Sequence, residues 1–212
     1  AAVRVAGRRI VGADGPVDYP IRLVNQTAVE QRVQLHTDWG ELTPDSVVLP
    51  AEGTASLSLK GTAEQSVDCK LVAAVNGGRE IVWPLRILCE PGLIDVVETC
   101  GHQSYNEECY RWTGDGPIDY EIALRPNEAQ VVWLRWGAKD DQRSATLRLG
   151  ERETEFTHGG YDGFQWAPYA LPAEAATAPR LPLTLTEIEG KKGAFVSQIR
   201  VMKPGTKPAD AD

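Results

Sequence analysis

With 212 residues, 42% hydrophobic and 25% charged, the chain has the make-up of a soluble globular protein of one large or two ordinary domains. A net charge of −8 and a pI near 5.0 argue against nucleic acid, which calls for a basic stripe, and against anionic membrane surfaces. No apolar run approaches the ~20 residues needed to cross a bilayer, so no membrane span is expected.

Ala1 opens the chain without Met, which reads as processing or excision from something longer. In chain order, VDYPIRLVNQT reads as a strand with Tyr19, Ile21 and Leu23 on one side. EQRVQLHTDW alternates, placing Val33, Leu35, Thr37 and Trp39 opposite Gln34, His36 and Asp38. SVVLPAEGTASLSLKG holds two short strands around PAEG. VDCKLVAAV and EIVWPLRILC flank an NGGR turn, and Pro84 inside the second suggests an edge position. Arg4, Arg8 and Arg9 read as a solvated face, and Asn25-Gln26-Thr27 is a glycosylation sequon. About seven short strands bounded by turn residues predict an immunoglobulin-like β-sandwich over 1–90.

The EPGL turn then marks a boundary. LIDVVETC, CYRW and PIDYEIALRPN continue the strands. AQVVWLRWGAKDDQRSATLRLGERE reads as two strands around a polar GAKDDQ turn, and HGGYDG as a second, exposed turn. PAEAATAP is the one stretch of fair helix propensity, and prolines close it. LPLTLTEIEGKKGAFVSQIRVM supplies two final strands. The fold class predicted is therefore all-β: two β-sandwiches, with a jelly roll over 93–205 and a frayed tail over 206–212.

The cysteines are 69, 89, 100 and 109, without a CxxC pair, and the three histidines lie far apart, so a structural zinc site is disfavoured. Disulfides of an exported protein are expected, and Cys69–Cys89 with Cys100–Cys109 is the favoured pairing of the three possible. A two-residue Gly77-Gly78 loop would instead set Cys69 opposite Arg86.

Two resemblances bear on function. IRLVNQT followed by DSVVLPAEGTASLSL resembles the immunoglobulin-like modules of bacterial sugar-acting enzymes. HQSYNEECYRW, IDYEIALRPN, VVWLRWGAKDDQRSATLRLG, FQWAPYALP and GAFVSQIRVM together resemble the galactose-binding-like β-sandwich at the C-terminus of β-L-arabinofuranosidase-type enzymes, over roughly residues 93 to 203. The match departs at Arg135, where that group carries an aromatic, and in the four cysteines. That family keeps its chemistry in a separate helical barrel, so the resemblance implies a non-catalytic accessory module, exported to the periplasm, cell surface or medium. Its partners would be a polysaccharide or glycan and a catalytic domain or partner protein.

The residues give the same direction. No GxSxG, HExxH or local Cys–His signature is present. The adjacent pairs Glu107-Glu108 and Asp140-Asp141 point to opposite faces of extended chain and read as solvated charge, not as an acid–base couple. Sugar contact needs rings beside hydrogen-bonding groups, for which Tyr110, Trp112, Trp136, Arg143, Tyr161, Asp162 and Trp166 are the candidates. Against this, Phe164 and Trp166 share a strand face and read mainly as packing. No cofactor is expected; the alternative is a structural calcium with Glu98, Glu107, Asp115 and Asp162 as ligands. The competing function is a structural spacer or interaction module, and the third a small hydrolase with dispersed residues.

Overall fold

The computed structural model describes residues 2–99 and 103–211, and it is built almost entirely of strands, in several packed sheets. The chain divides into two compact units, Ala1–Cys89 and Glu90–Asp212.

Unit 1 contains β1 (Val3–Ala6), β2 (Ile10–Ala13), β3 (Gly15–Asn25), β4 (Gln31–Thr37), β5 (Glu41–Thr43), β6 (Ser46–Leu49), β7 (Thr54–Ala63), β8 (Val67–Val75) and β9 (Arg79–Cys89). One sheet has the order β1-β3-β7-β5 and the other β2-β9-β8-β4-β6. The opening segment, read from sequence as a basic face, divides between the two sheets. β1 pairs antiparallel with β3, and β2 pairs parallel with β9. Alternation then does the rest: Ile21 and Leu23, Val33 and Leu35, Leu57 and Leu59, Leu71 and Ala73, Leu85 and Ile87 all turn inward and are buried. Trp39 closes the core against Gly61, where a Cβ would meet the indole at 2.8 Å. Pro84 sits on β9 before its pairing with β2 begins at Arg86, so that side has no ladder bond to lose.

The expected Cys69–Cys89 bridge does not exist: both thiols are free. The β8–β9 loop has three residues, since Val75 pairs with Arg79, and this register sets Cys69 opposite Leu85. Cys89 lies four positions further along β9, roughly 13 Å at ~3.3 Å per residue, well beyond the ~7 Å reach of a bridge. Of the other expected bridge, Cys109 is disulfide-bonded and Cys100 lies outside the described residues. Burial, with the charges of Asp38 and Asp68, pushes the Cys69 thiol up to about 11. At pH 8 iodoacetamide should therefore label the buried Cys69 more slowly than the half-buried Cys89, by peptide mass mapping. Equal labelling, or a recovered 69–89 cross-linked peptide, would contradict this arrangement.

Unit 2 contains β10 (Leu93–Glu98), β11 (Gln103–Tyr105), β12 (Glu108–Trp112), β13 (Ile118–Ala123), β14 (Gln130–Leu149), β15 (Arg152–Leu171), β16 (Arg180–Thr186) and β17 (Phe195–Met202). GAKDDQ is not a turn between two strands, as its composition suggests. β14 runs through it and stays paired with β15 from Gln130 to Leu149; the actual turn is Gly150-Glu151. The irregularity at Lys139–Gln142 is taken up by a bulge, with Asp140 at φ 53°. This extra residue reverses which side chains face inward: Val132, Leu134 and Trp136 are buried before it, Ala145, Leu147 and Leu149 after it. The first half of β14 pairs with β17 and the second half with β16. One hairpin thus serves both layers, and a single core fills the space between them, with Ile118, Leu183, Val196 and Ile199.

PAEAATAP forms only a short 3-10 turn at Ala173–Ala175. The tail does not fray from 206 as predicted. Pro208 is buried, Ala211 N donates to Pro208 O, and Asp210 pairs with Arg200.

Candidate functional site

The ring candidates are mostly spent on packing. Trp136 is fully buried in the unit 2 core, and its Nε1 donates to His158 O at 3.0 Å. Tyr110 is buried, with its ring 4.6 Å from Phe195 and 6.0 Å from Phe164. Trp112 is half-buried and edge-on to Phe195, packed so closely that Cβ atoms at Gly114 or Gly193 would strike it. Tyr161, the ring most expected to meet a sugar, donates its hydroxyl to Trp136 O at 2.8 Å. Burial holds that hydroxyl far above the usual tyrosine range, against a smaller opposing pull from Arg135. HGGYDG is a distorted stretch of β15, not a free loop, and this is why Tyr161 turns inward. Asp162 is exposed and accepts a hydrogen bond from Tyr105.

Arg143 is also a structural residue. It is buried over the Phe195 ring at 4.0 Å, donates to Gly193 O at 2.9 Å and pairs with Asp141 at 3.0 Å. Burial would raise the Asp141 carboxyl, but hydrogen bonds from Lys192 and the Lys139 backbone, with the Arg143 charge, outweigh it and hold the group below the ordinary range. Asp141 therefore stays ionised near neutrality and is a poor proton donor. Its neighbour Asp140 is exposed. Burial lowers the His158 imidazole, keeping it neutral at pH 7.

Of the calcium candidates, Glu98 and Glu107 are exposed, and Asp115 accepts a hydrogen bond from Gln103. Among the described residues no three His, Cys, Asp or Glu side chains converge on a metal position.

Trp166 borders a polar cleft. β15 is an edge strand beyond β14, and Trp166 lies opposite Arg135 on the outer side of the layer. Arg200 comes from β17, its guanidinium 4.5 Å from the indole centroid, with Arg135 at 5.6 Å. These two cations leave Trp166 only 8% exposed, so its face does not serve as an open stacking platform. Each Arg has its own carboxylate. Arg135 forks onto Glu108, Nε to Oε1 at 3.2 Å and Nη2 to Oε2 at 3.3 Å. Arg200 donates to both oxygens of Glu90.

A bulge in β17 completes the cleft. Arg135 pairs with Gln198 and Trp136 with Val196, so Ser197 is the extra residue. Its hydroxyl donates to Glu108. The resulting cavity of about 200 Å³ is bordered by Glu98, Glu108, Arg135, Trp166, Ser197, Gln198, Arg200 and Asp210. A second, of about 220 Å³, adjoins Trp166 with Phe164, Gln165, Arg135, Asp210 and Ala211. Larger grooves, of about 610 and 690 Å³, run over sheet surfaces beside Val47 and Val48 and beside Leu149 and Leu181. Neither has a comparable set of paired charges around a ring.

Ser197, Gln198, Arg200 and Asp210 are not among the residues the sequence singles out, and Glu108, read there as solvated charge, is instead held by Arg135 and Ser197. The signal for part of them is present: VVWLRW sets one Arg in an otherwise apolar run, and VSQIRVM sets Arg200 between Ile199 and Val201, both at positions facing away from the core. Ser197 gives no such signal, because a bulge is invisible in composition.

No family model matches the chain, and no curated protein matches it. Among solved structures, it is similar to a ruminal GH26 endo-β-1,4-mannanase at 15% identity and TM-score 0.39, over 54% of this chain and 26% of that one. It is similar to the cycloalternan-forming enzyme of Listeria monocytogenes at 12% identity and TM-score 0.41, over 95% and 20%. A third likeness is to the YadV chaperone, at 13% identity and TM-score 0.35, over 94% and 100%. The chain thus matches about a quarter of the mannanase and a fifth of the cycloalternan-forming enzyme.

Proposed function

We propose that the chain is a non-catalytic accessory module of an exported carbohydrate-acting system, and that unit 2 contacts sugar at the cleft beside Trp166. The observation that carries the reading is the alternation of donors and acceptors around that cleft: Arg135 and Arg200 against Glu98 and Glu108, with Ser197 and Gln198 between them. A sugar ring offers hydroxyls that both give and take hydrogen bonds, which such a border matches. The volume is below that of a drug-sized pocket and suits about one sugar residue, so affinity per site is weak. The resemblance of the second half to a galactose-binding-like sandwich supports the same reading. The chain's own side chains supply recognition only; Glu108 and Asp141 are held as ion-pair partners and not as a free acid–base couple.

A second reading, a structural spacer or interaction module beside a catalytic domain, is favoured by the burial of Tyr110 and Trp136 and the inward bond of Tyr161. Affinity electrophoresis in gels containing individual polysaccharides separates the two. We expect retention by at least one polysaccharide, weakened about fivefold or more by Glu98→Ala with Gln198→Ala, and unchanged by Tyr161→Phe. Absence of retention throughout, or retention that ignores the cleft variants, gives the case to the spacer.

A further inference from the structure

Arg200 carries one carboxylate more than charge balance requires. Its Nη1 donates to Oε1 and Oε2 of Glu90 at 2.7 and 2.9 Å, and also to Oδ1 of Asp210 at 3.0 Å. Its Nε donates to Gln198 Oε1 at 2.7 Å. The side chains of Arg200 and Glu90 are 7% and 9% exposed, whereas that of Asp210 is 55% exposed. Glu90 alone neutralises the guanidinium from within. Asp210 adds a half-exposed contact of the weak kind, and removing it leaves a complete buried pair behind.

Asp210 has a second property: it borders both cavities beside Trp166. Arg135 and Trp166 are the other two residues common to both. The carboxylate and its turn therefore lie over the stretch where the two compartments meet. The turn is fastened by Ala211 N to Pro208 O at 3.0 Å and by Pro208, which is buried. The Trp166 indole N–H beneath is buried and has no acceptor, an unused donor in the same wall.

We infer that the Asp210 turn is a displaceable strap, and that its carboxylate occupies the position of the carboxylate of an acidic sugar, a uronate. The inference rests on the carbohydrate reading above. A uronate brings two things at once: a carboxylate to replace Asp210 on Arg200, and ring hydroxyls for Gln198, Ser197 and Glu98. A neutral sugar brings only the second, and leaves Asp210 in place. Removal of the Asp210 charge should thus favour uronides selectively.

The test is calorimetric titration with trigalacturonate and triglucuronate, and with galactotriose and cellotriose as neutral counterparts. Asp210→Asn is expected to bind at least one uronide about tenfold tighter than the parent, with neutral binding unchanged. Glu189→Gln, an exposed turn residue with the same change in net charge, should give no gain. Uronide binding that is the same in parent and Asp210→Asn overturns the strap, as does an equal gain in Glu189→Gln. If both proteins bind neutral sugars and neither binds a uronide, the strap falls and the carbohydrate reading stands. If neither protein binds any of the four, both fall. Asp210→Asn should also melt within a few degrees of the parent; a large loss of stability would make Asp210 a structural anchor and sink the inference.

Discussion

Asn25→Asp is expected to destabilise unit 1 by about 3–5 kcal/mol at pH 7, a large share of the ~5–15 kcal/mol that holds a typical domain. The side chain is 2% exposed. Its Nδ2 donates to Val29 O at 2.8 Å and Pro50 O at 2.7 Å, with Leu49 O at 3.4 Å. Its Oδ1 accepts from Thr27 N at 3.0 Å and Thr27 Oγ1 at 2.7 Å. Thr27 in turn accepts from Gln31, and Gln31 from Asn76, so one amide begins a chain of bonds reaching the β8–β9 loop. Aspartate keeps the acceptor and replaces the donor with a negative oxygen facing carbonyls. Such burial raises the carboxyl in the folded state above its unfolded value of about 3.9. The sign follows: the loss is full above the folded pKa and shrinks as pH falls toward 4. Asn25→Ala lacks the charge and should cost less, about 2–3 kcal/mol, without that pH dependence. Hydrogen exchange of unit 1 amides reads both against the parent. A loss below ~1 kcal/mol at pH 7, or an Asp variant whose deficit is flat from pH 7 to 4, would contradict this account. The same bonds decide the sequon: an amide nitrogen committed to two carbonyls inside the folded unit is not free to carry a glycan.

Period-2 alternation carried the all-β class, because a strand with one wet side writes its burial directly into the sequence. Val33 and Leu35, or Leu57 and Leu59, were legible in this way. What composition hides is a change of parity. GAKDDQ has the residues of a turn, yet one residue at positive φ lets β14 continue through it and reverses which side faces inward. Even-numbered Trp136 lies on the core side before the bulge and odd-numbered Ala145, Leu147 and Leu149 after it, with Arg135 on the cleft side. Ser197 is a second case, since the residue that β17 gains there re-aims its hydroxyl at Glu108. The short strands β1 and β2 were hidden for a different reason: Arg4 inside β1, and Arg8 and Arg9 between the two strands, give the segment a basic look, while Val3, Val5 and Val11 do the burying. Aromatic residues were the least informative. A ring suited to a sugar is equally suited to a core, and Tyr161 was decided by a bond to the Trp136 carbonyl that no local pattern announces.

The bulge itself offers the sharper test, through two adjacent glycines that look alike in sequence. Gly159 and Gly160 both have positive φ, 145° and 84°. At Gly160 a Cβ would meet nothing within 4 Å. At Gly159 it would land on Asp141 O, with Gln142 Cα at 3.0 Å, and both of these are backbone of the bulged stretch of β14. No side chain can swing aside to make room, so the two strands would have to part where the hairpin changes face. Gly160→Ala should cost roughly 1 kcal/mol, the ordinary penalty for a side chain at positive φ. Gly159→Ala should cost about 3 kcal/mol or more, adding a backbone clash to conformational strain, and lower the melting temperature of unit 2 by about 10 °C. The damage should also be local in kind. With the Asp141–Gly159 approach lost, the Arg143–Asp141 pair and the Tyr161 bond to Trp136 O are both displaced, and the high Tyr161 ionisation should fall toward the usual tyrosine range. Ultraviolet titration of the tyrosines reads that directly. If Gly159→Ala and Gly160→Ala melt together, the close approach of β15 to β14 is not what fixes the bulge, and the reversal of β14 must be held by the core residues on either side of it.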